Sequence, residues 1–164
     1  MRPLAPALLA AFAAVALALP AQAQNAGQIA QARNGASCPR CNLFQADFAG
    51  LELKGKNFSG ARLRQADMSL AIMNRSNFSG ADLRDVEAYG ALFSSASFAG
   101  ANLTNASFVG TYLQGANFRG ANLTGANFAG AEMDRAVGLT QAQLNAACGD
   151  SSTRLPSGLR IPAC

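Results

Sequence analysis

The sequence has no histidine, no tryptophan, two tyrosines and four cysteines, and only 13% of its residues are charged. Without histidine there can be no imidazole metal site, no Ser–His or Cys–His nucleophile pair and no CxxCH haem attachment. No glycine-rich phosphate loop and no catalytic constellation of carboxylates stands out either, so neither an enzyme nor a cofactor is expected. Long apolar runs are almost absent. The single one, Leu4–Leu19, lies at the start of the chain. At 164 residues the chain has the length of one domain, and its formal charge is +4.

That apolar run follows Met1-Arg2 and precedes Pro20 and the Ala21-Gln22-Ala23 triplet. A basic start, a short apolar stretch and an A-x-A site describe a secretory signal peptide over 1–23. About 16 residues, many of them alanine, are too few and too weakly apolar for a membrane span. Cleavage after Ala23 would leave 141 residues without a transmembrane segment, in a periplasmic or secreted location.

What the chain has in excess is glycine and phenylalanine, 16 and 10 residues, placed with a strict period. Read in fives from Cys41 to Arg135, the register holds without slip for 19 pentads. The third position is Leu, Phe or Met in 18 of the 19, the first is Ala in 13 and the fifth is Gly in 11. The second is mostly Asn, Asp, Ser or Glu. A period of five fits neither an α-helix nor a plain strand. It requires a chain that turns a corner every five residues, with one large and one small side chain inward per pentad and glycine easing the corner.

The repeated A(D/N)LxG pattern resembles the pentapeptide repeat family over 41–135. The resemblance implies a right-handed quadrilateral parallel β-helix, an all-β solenoid with four pentads per coil. On that reading every fourth pentad stacks, and the sequence agrees. Leu43, Leu63, Leu83, Leu103 and Leu123 form one column, and Phe58, Phe78, Phe98 and Phe118 another. Ala88 is the one small third-position residue and should thin the core, with Met68 as its adaptable neighbour. The family includes cytoplasmic DNA mimics that protect gyrase. Those are strongly acidic, whereas this chain is basic and carries an export signal, so a nucleic-acid-related role is not expected here.

The ends need caps, because a solenoid otherwise exposes unpaired backbone. Residues 24–40 read as an N-terminal leader or cap, either a short helix or, as favoured here, a weakly ordered segment. Gly138–Gly149 reads as a helix with Thr140 as N-cap, a Leu139–Leu144 staple and Gly149 as its stop. A loop to Cys164 completes a C-terminal cap over 136–164, and exported relatives carry a similar tail.

Four cysteines in an exported chain allow three disulfide connectivities. The family geometry separates the rod ends by far more than a disulfide's reach, so the resemblance implies Cys38–Cys41 and Cys148–Cys164. Cys38-Pro39-Arg40-Cys41 is also a CxxC motif. A thiol–disulfide role is therefore an alternative to a structural clip, though it lacks the βαβ context of such proteins.

Two surface features stand out. Lys54, Lys56, Arg62, Arg64, Arg75 and Arg84 face only Asp67 and Asp82 between residues 54 and 84, a candidate basic patch for an anionic envelope surface. Its bland reading is a solvated face with an Arg62–Asp82 cross-coil pair. Ile72, Leu92 and Tyr112 stack at second positions, with Tyr89 and Val109 around the corner, an apolar stripe where the repeat is normally polar. The stripe should either be covered by a terminal segment or serve as a contact for a protein partner or a second copy. The carboxylate column Asp47, Asp67, Glu87 is read as part of the repeat. The overall expectation is a non-enzymatic exported module.

Export with an even cysteine count predicts no free thiol. Alkylation without reduction should leave the mature chain's mass unchanged; labelling confined to Cys38 and Cys41 would favour the thiol–disulfide alternative.

Overall fold

The computed structural model describes residues 24–164; the signal peptide expected over 1–23 lies outside them. Two short helices, α1 (Ala26–Arg33) and α2 (Gln141–Asn145), flank a coiled repeat. Single parallel bridges from Asn42–Arg62 through Asn117–Val137 each join residues 20 apart. Each such 20-residue coil holds four turns, so its four faces begin at residues 41, 46, 51 and 56 and recur one coil later. They are called here the first to fourth faces.

Every corner is left-handed. The fifth residue of each pentad from Gln45 to Gly130 has φ between 55° and 70°, whether or not it is glycine. This conformation is nearly free for glycine and strained for other residues, which explains the glycine excess.

The backbone N–H groups are accounted for by position. The second-position N–H bonds to the coil before, as in Asp82 to the Ala61 carbonyl at 3.0 Å, and the third and fifth to the coil after. The first closes the turn, as in Ala81 to the Phe78 carbonyl. Among the described residues the fourth N–H has no backbone partner in the repeat, and wherever the second position is Asn or Asp that side chain accepts it. Asn57 Oδ1 takes the Ser59 N–H, Asn77 that of Ser79 and Asn127 that of Ala129, all within 3.0 Å. The polar second position is thus demanded by the backbone itself.

Inside, the third-position side chains are buried in columns. Phe58, Phe78, Phe98 and Phe118 stack with centroids 5.3–5.4 Å apart and planes within 16°. Ala88 and Met68 are both fully buried. Phe93 stands in the pentad after Ala88, in a column otherwise built of Leu and Met. Its ring contacts Phe78, Phe98 and Phe108 at 5.5–5.9 Å, so an enlarged neighbour fills the space that the small residue leaves.

Side chains satisfy the backbone at both ends. At the N-terminal end the segment before the repeat forms α1, the short helix, rather than the weak order favoured from the sequence. Asn25 caps it, Ala32 is buried, and Gln28 Oε1 accepts the Asn42 N–H at 2.7 Å in place of a missing coil. Arg33 pairs with Asp47 at 3.0 Å. The Ala49 N–H, and then Arg33, hold the Asp47 carboxyl below its ordinary range. The coil register already includes Cys38 and Arg40, whose N–H groups reach Asn57 and Ser59.

At the other end α2 is shorter than expected. Thr140 and Gln143 form its capping box, but it stops at Asn145, because Cys148 returns to the ladder opposite Asn127 and Gly149 bridges Ala163. Pairing with the coil below takes precedence over helix propagation. Gln143 Nε2 donates to the Phe118 and Ala121 carbonyls, and the Asp150 carboxylate accepts the Gly130 N–H at 3.0 Å, standing in for a next-coil carbonyl. Disulfides join Cys38 to Cys41 and Cys148 to Cys164, with Cα atoms 5.4 and 4.9 Å apart.

The same Asp150 oxygen also accepts from Ser152 and Thr153, and these bonds, led by the Ser152 hydroxyl, lower its pKa to about 2. A depressed folded-state pKa contributes stability that is complete above the unfolded value of 3.8 and is lost as pH falls toward about 2. Asp150→Ala should therefore lower the melting temperature at neutral pH, and its gap to the wild type should close between about pH 4 and about pH 2. Thermal melts followed by circular dichroism across that range check this.

Candidate interaction site

Unlike the first, second and fourth faces, where Asn and Asp accept the fourth-position N–H, the third face has no second-position side chain that does so among the described residues. Its column reads Glu52, Ile72, Leu92, Tyr112, Glu132, linked by consecutive bridges. Ile72 and Leu92 carry no acceptor, and Tyr112 accepts no fourth-position N–H among the described residues. At Leu92 another group substitutes, since Asn74 Oδ1 accepts the Ser94 N–H at 2.8 Å. The backbone therefore gives no reason for these apolar residues, and the core gains little from them: Ile72 and Leu92 are half-buried and Tyr112 is 44% exposed.

Around the corner, on the second face, Tyr89 is 58% exposed and Val109 is half-buried. The structure adds one member that the sequence reading missed. Leu70 occupies a fifth position, has φ 58° and is 61% exposed. Its side chain lies over Gly90, where even a Cβ would come within 3.0 Å of Leu70 Cδ2. The signal was present: a bulky apolar residue stood where the repeat favours glycine. The described terminal segments do not cover this edge through any hydrogen bond. Their bonds go to the coil ends, from Gln28 to Asn42 and from Gln143 to Phe118 and Ala121.

The six basic residues do not form one patch. Arg62, Arg64 and Arg84 lie on the first face, Lys54 and Arg75 on the third, and Lys56 begins the fourth. The expected Arg62–Asp82 pair is replaced. Arg84 binds Asp82 through two nitrogens at 2.7 and 2.8 Å, and this bond is the main reason the Asp82 carboxyl is held below its ordinary range. Arg64 reaches Asp85 at 3.2 Å, and Arg62 lies over the Phe44 ring at 5.7 Å.

Next to the apolar column the third face carries a shallow groove of about 520 Å³ lined by Lys54, Gly55, Asn74, Arg75, Ser94 and Ser95. Lys54 pairs with Glu52 at 2.7 Å, while Arg75 has no carboxylate partner among the described residues. Gln114, in the same fourth-position column, donates to Asp134, and its buried Oε1 has no hydrogen-bond partner among the described residues.

Of the carboxylate column, Asp47 and Asp67 are taken up by the fold: they accept the Ala49 and Ser69 N–H groups at 3.0 and 2.9 Å. Among the described residues no cluster of His, Cys, Asp and Glu could hold a metal ion, and no helix is long and apolar enough to cross a membrane. Cys38 is bridged and buried, beneath the Phe58 column.

Leu70 combines backbone strain with exposure. Leu70→Gly should raise unfolding free energy by roughly 0.5–1 kcal/mol, the left-handed strain of about 1–2 kcal/mol less the freedom that glycine adds to the unfolded chain. Urea denaturation measures it, and a loss of stability would show that Leu70 serves the fold.

No curated protein sequence matches the chain. Solved structures similar to it include a pentapeptide repeat protein from the thylakoid lumen of Arabidopsis thaliana, 35% identical, covering 54% of this chain and 55% of that one, with a TM-score of 0.29. The chain thus spans about half the length of that relative. A pentapeptide repeat protein from Nostoc is 22% identical over 84% of this chain and 88% of its own, with a TM-score of 0.37. QnrB1, a plasmid-mediated fluoroquinolone resistance protein, is 22% identical over 71% and 66%, with a TM-score of 0.35. The family model for pentapeptide repeats matches in eight copies, over residues 41–80, 76–115, 101–137 and 112–148. With a 20-residue bridge register, a corner at every fifth residue and this match over more than half its length, the chain belongs to the pentapeptide repeat family.

Proposed function

We propose that this chain is an exported, non-enzymatic interaction module, a right-handed quadrilateral β-helix that binds a protein partner through the apolar edge between its second and third faces. The observation that carries this reading is the break in the polar second-position rule at Ile72, Leu92 and Tyr112. Where this position is Asn or Asp its side chain satisfies a backbone N–H. Arg62, Glu87, Ser97 and Ser107 lack that bond among the described residues but stay polar, whereas here the position is given to partly exposed apolar side chains. Leu70 adds a large exposed apolar side chain to the same edge, at a corner where the repeat favours glycine.

Export is supported by the leader over 1–23 and by two disulfides, which persist in oxidising compartments. The burial of Cys38 favours a structural clip over thiol exchange. The division of the basic residues among three faces, with Arg64, Arg84 and Lys54 already paired, disfavours an anionic-surface binder.

A photoreactive amino acid at position 92, introduced in the full chain in its native cell envelope, tests the reading. Adducts at position 92 and none at position 99, on the fourth face, are expected. Equal labelling at the two positions, or none at either, would overturn it.

A further inference from the structure

The third face is complementary to itself. Its second-position column, Glu52, Ile72, Leu92, Tyr112, Glu132, has the same chemistry read in either direction, with Leu92 at its centre. Its fourth-position column, Lys54, Asn74, Ser94, Gln114, Asp134, reverses sign about Ser94, cationic at one end and anionic at the other. Both columns share one midpoint, the coil that carries Leu92 and Ser94. A closed two-fold dimer needs such a patch, one that meets its own rotated copy.

We propose that the chain self-associates through this face as an antiparallel dimer, with the two-fold axis lying in the interface along the Leu92 coil. The proposal rests on the interaction-edge reading above and names its occupant as a second copy of the chain. With the rods antiparallel, Leu92 meets Leu92 of the second copy and Ile72 meets Tyr112, so the apolar residues cover one another. Lys54 comes opposite Asp134, and Asn74 opposite Gln114.

The fifth-position column fits as well. Arg75 falls opposite Gly115 and Arg135 opposite Gly55, so each long cationic side chain meets a corner without a side chain. Arg75, which has no carboxylate partner among the described residues of its own chain, then lies one coil from Glu132 and Asp134 of the second copy. Glu52 meets Glu132, the one like-charge contact. Lys54, bonded to Glu52 at 2.7 Å, stands beside it and offsets the repulsion. The first face has no such symmetry: its second-position column runs Asn42, Arg62, Asp82, Asn102, Asn122.

The repeat is short, with coils spaced about 4.8 Å apart. The face is therefore smaller than the roughly 800 Å² per partner of a standard stable interface. The dimer should be weak, with a dissociation constant of about 1 μM or above.

Sedimentation velocity of the mature, disulfide-bonded chain from about 1 to about 500 μM tests the proposal. A concentration-dependent dimer is expected. Leu92→Asn with Tyr112→Asn should be monomeric throughout with an unchanged melting temperature, because Asn is the usual residue at that position. Lys54→Glu should weaken the dimer about fivefold or more, and adding Asp134→Lys should restore it.

A wild-type chain that stays monomeric at every concentration overturns the proposal. So does a dimer that survives the double Asn variant, or a charge swap that binds no better than Lys54→Glu alone. The photo-adduct at position 92 separates this failure from that of the interaction-edge reading. An adduct of twice the chain mass belongs to the dimer, whereas a monomeric chain giving an adduct of another mass refutes the dimer and leaves the edge as a contact for a different protein.

Discussion

The structure depends on one backbone constraint: a left-handed residue at every fifth position. That corner turns the chain often enough to close a coil in 20 residues, and closure places each pentad on the one before it. Once the pentads stack, their hydrogen bonds run between coils, and a solenoid forms with no long strand. The other positions follow. The third side chain points into a space shared with three others and must be large. The first sits beside the corner and must be small. The fourth N–H lacks a backbone partner, so the second residue supplies an oxygen.

Stacking identical layers makes the core a set of columns, each of which is judged by its neighbours. Ala88 would leave a void if its column were considered alone. Phe93, enlarged in the adjacent column, removes it, and the phenylalanine ladder continues through that layer without a break. The same logic governs the ends, where no next coil exists. There Gln28, Gln143 and Asp150 contribute side-chain atoms at the places where backbone atoms would have paired. Each disulfide staples the chain close to one of these substitutions, where fraying would otherwise begin.

Because the repeat assigns nearly every inward and backbone role, function is left to the outward side chains. On most faces even these are occupied: Asn and Asp accept N–H groups, and the first-face arginines bind Asp82, Asp85 and the Phe44 ring. The third face and its corner with the second differ. They hold exposed apolar residues, among them Leu70 at a corner, and an Arg75 with no carboxylate partner among the described residues.

The five-residue period, the nested 20-residue columns and the apolar stripe could all be read from the order of residues, because each depends on position within a strictly local repeat. Ile72, Leu92 and Tyr112 stand 20 apart, and arithmetic alone stacks them. Where the chain leaves the repeat, local signals were insufficient. Thr140 and Gln143 announce a helix start, but its end is decided by Cys148 pairing with Asn127, a contact formed only when the coil beneath is present. The order of residues 24–40 likewise comes from Gln28 and Ala32 docking on the first coil, not from helix propensity. The basic residues, close in sequence, were separated because each corner turns the chain to a new face. Arg62 found Phe44 and Arg84 its own Asp82, since side-chain pairing depends on distances across coils and corners. The corner, the coil and the columns follow from the local order of residues; the caps and the ion pairs do not, because they join residues whose proximity exists only after the coils have closed.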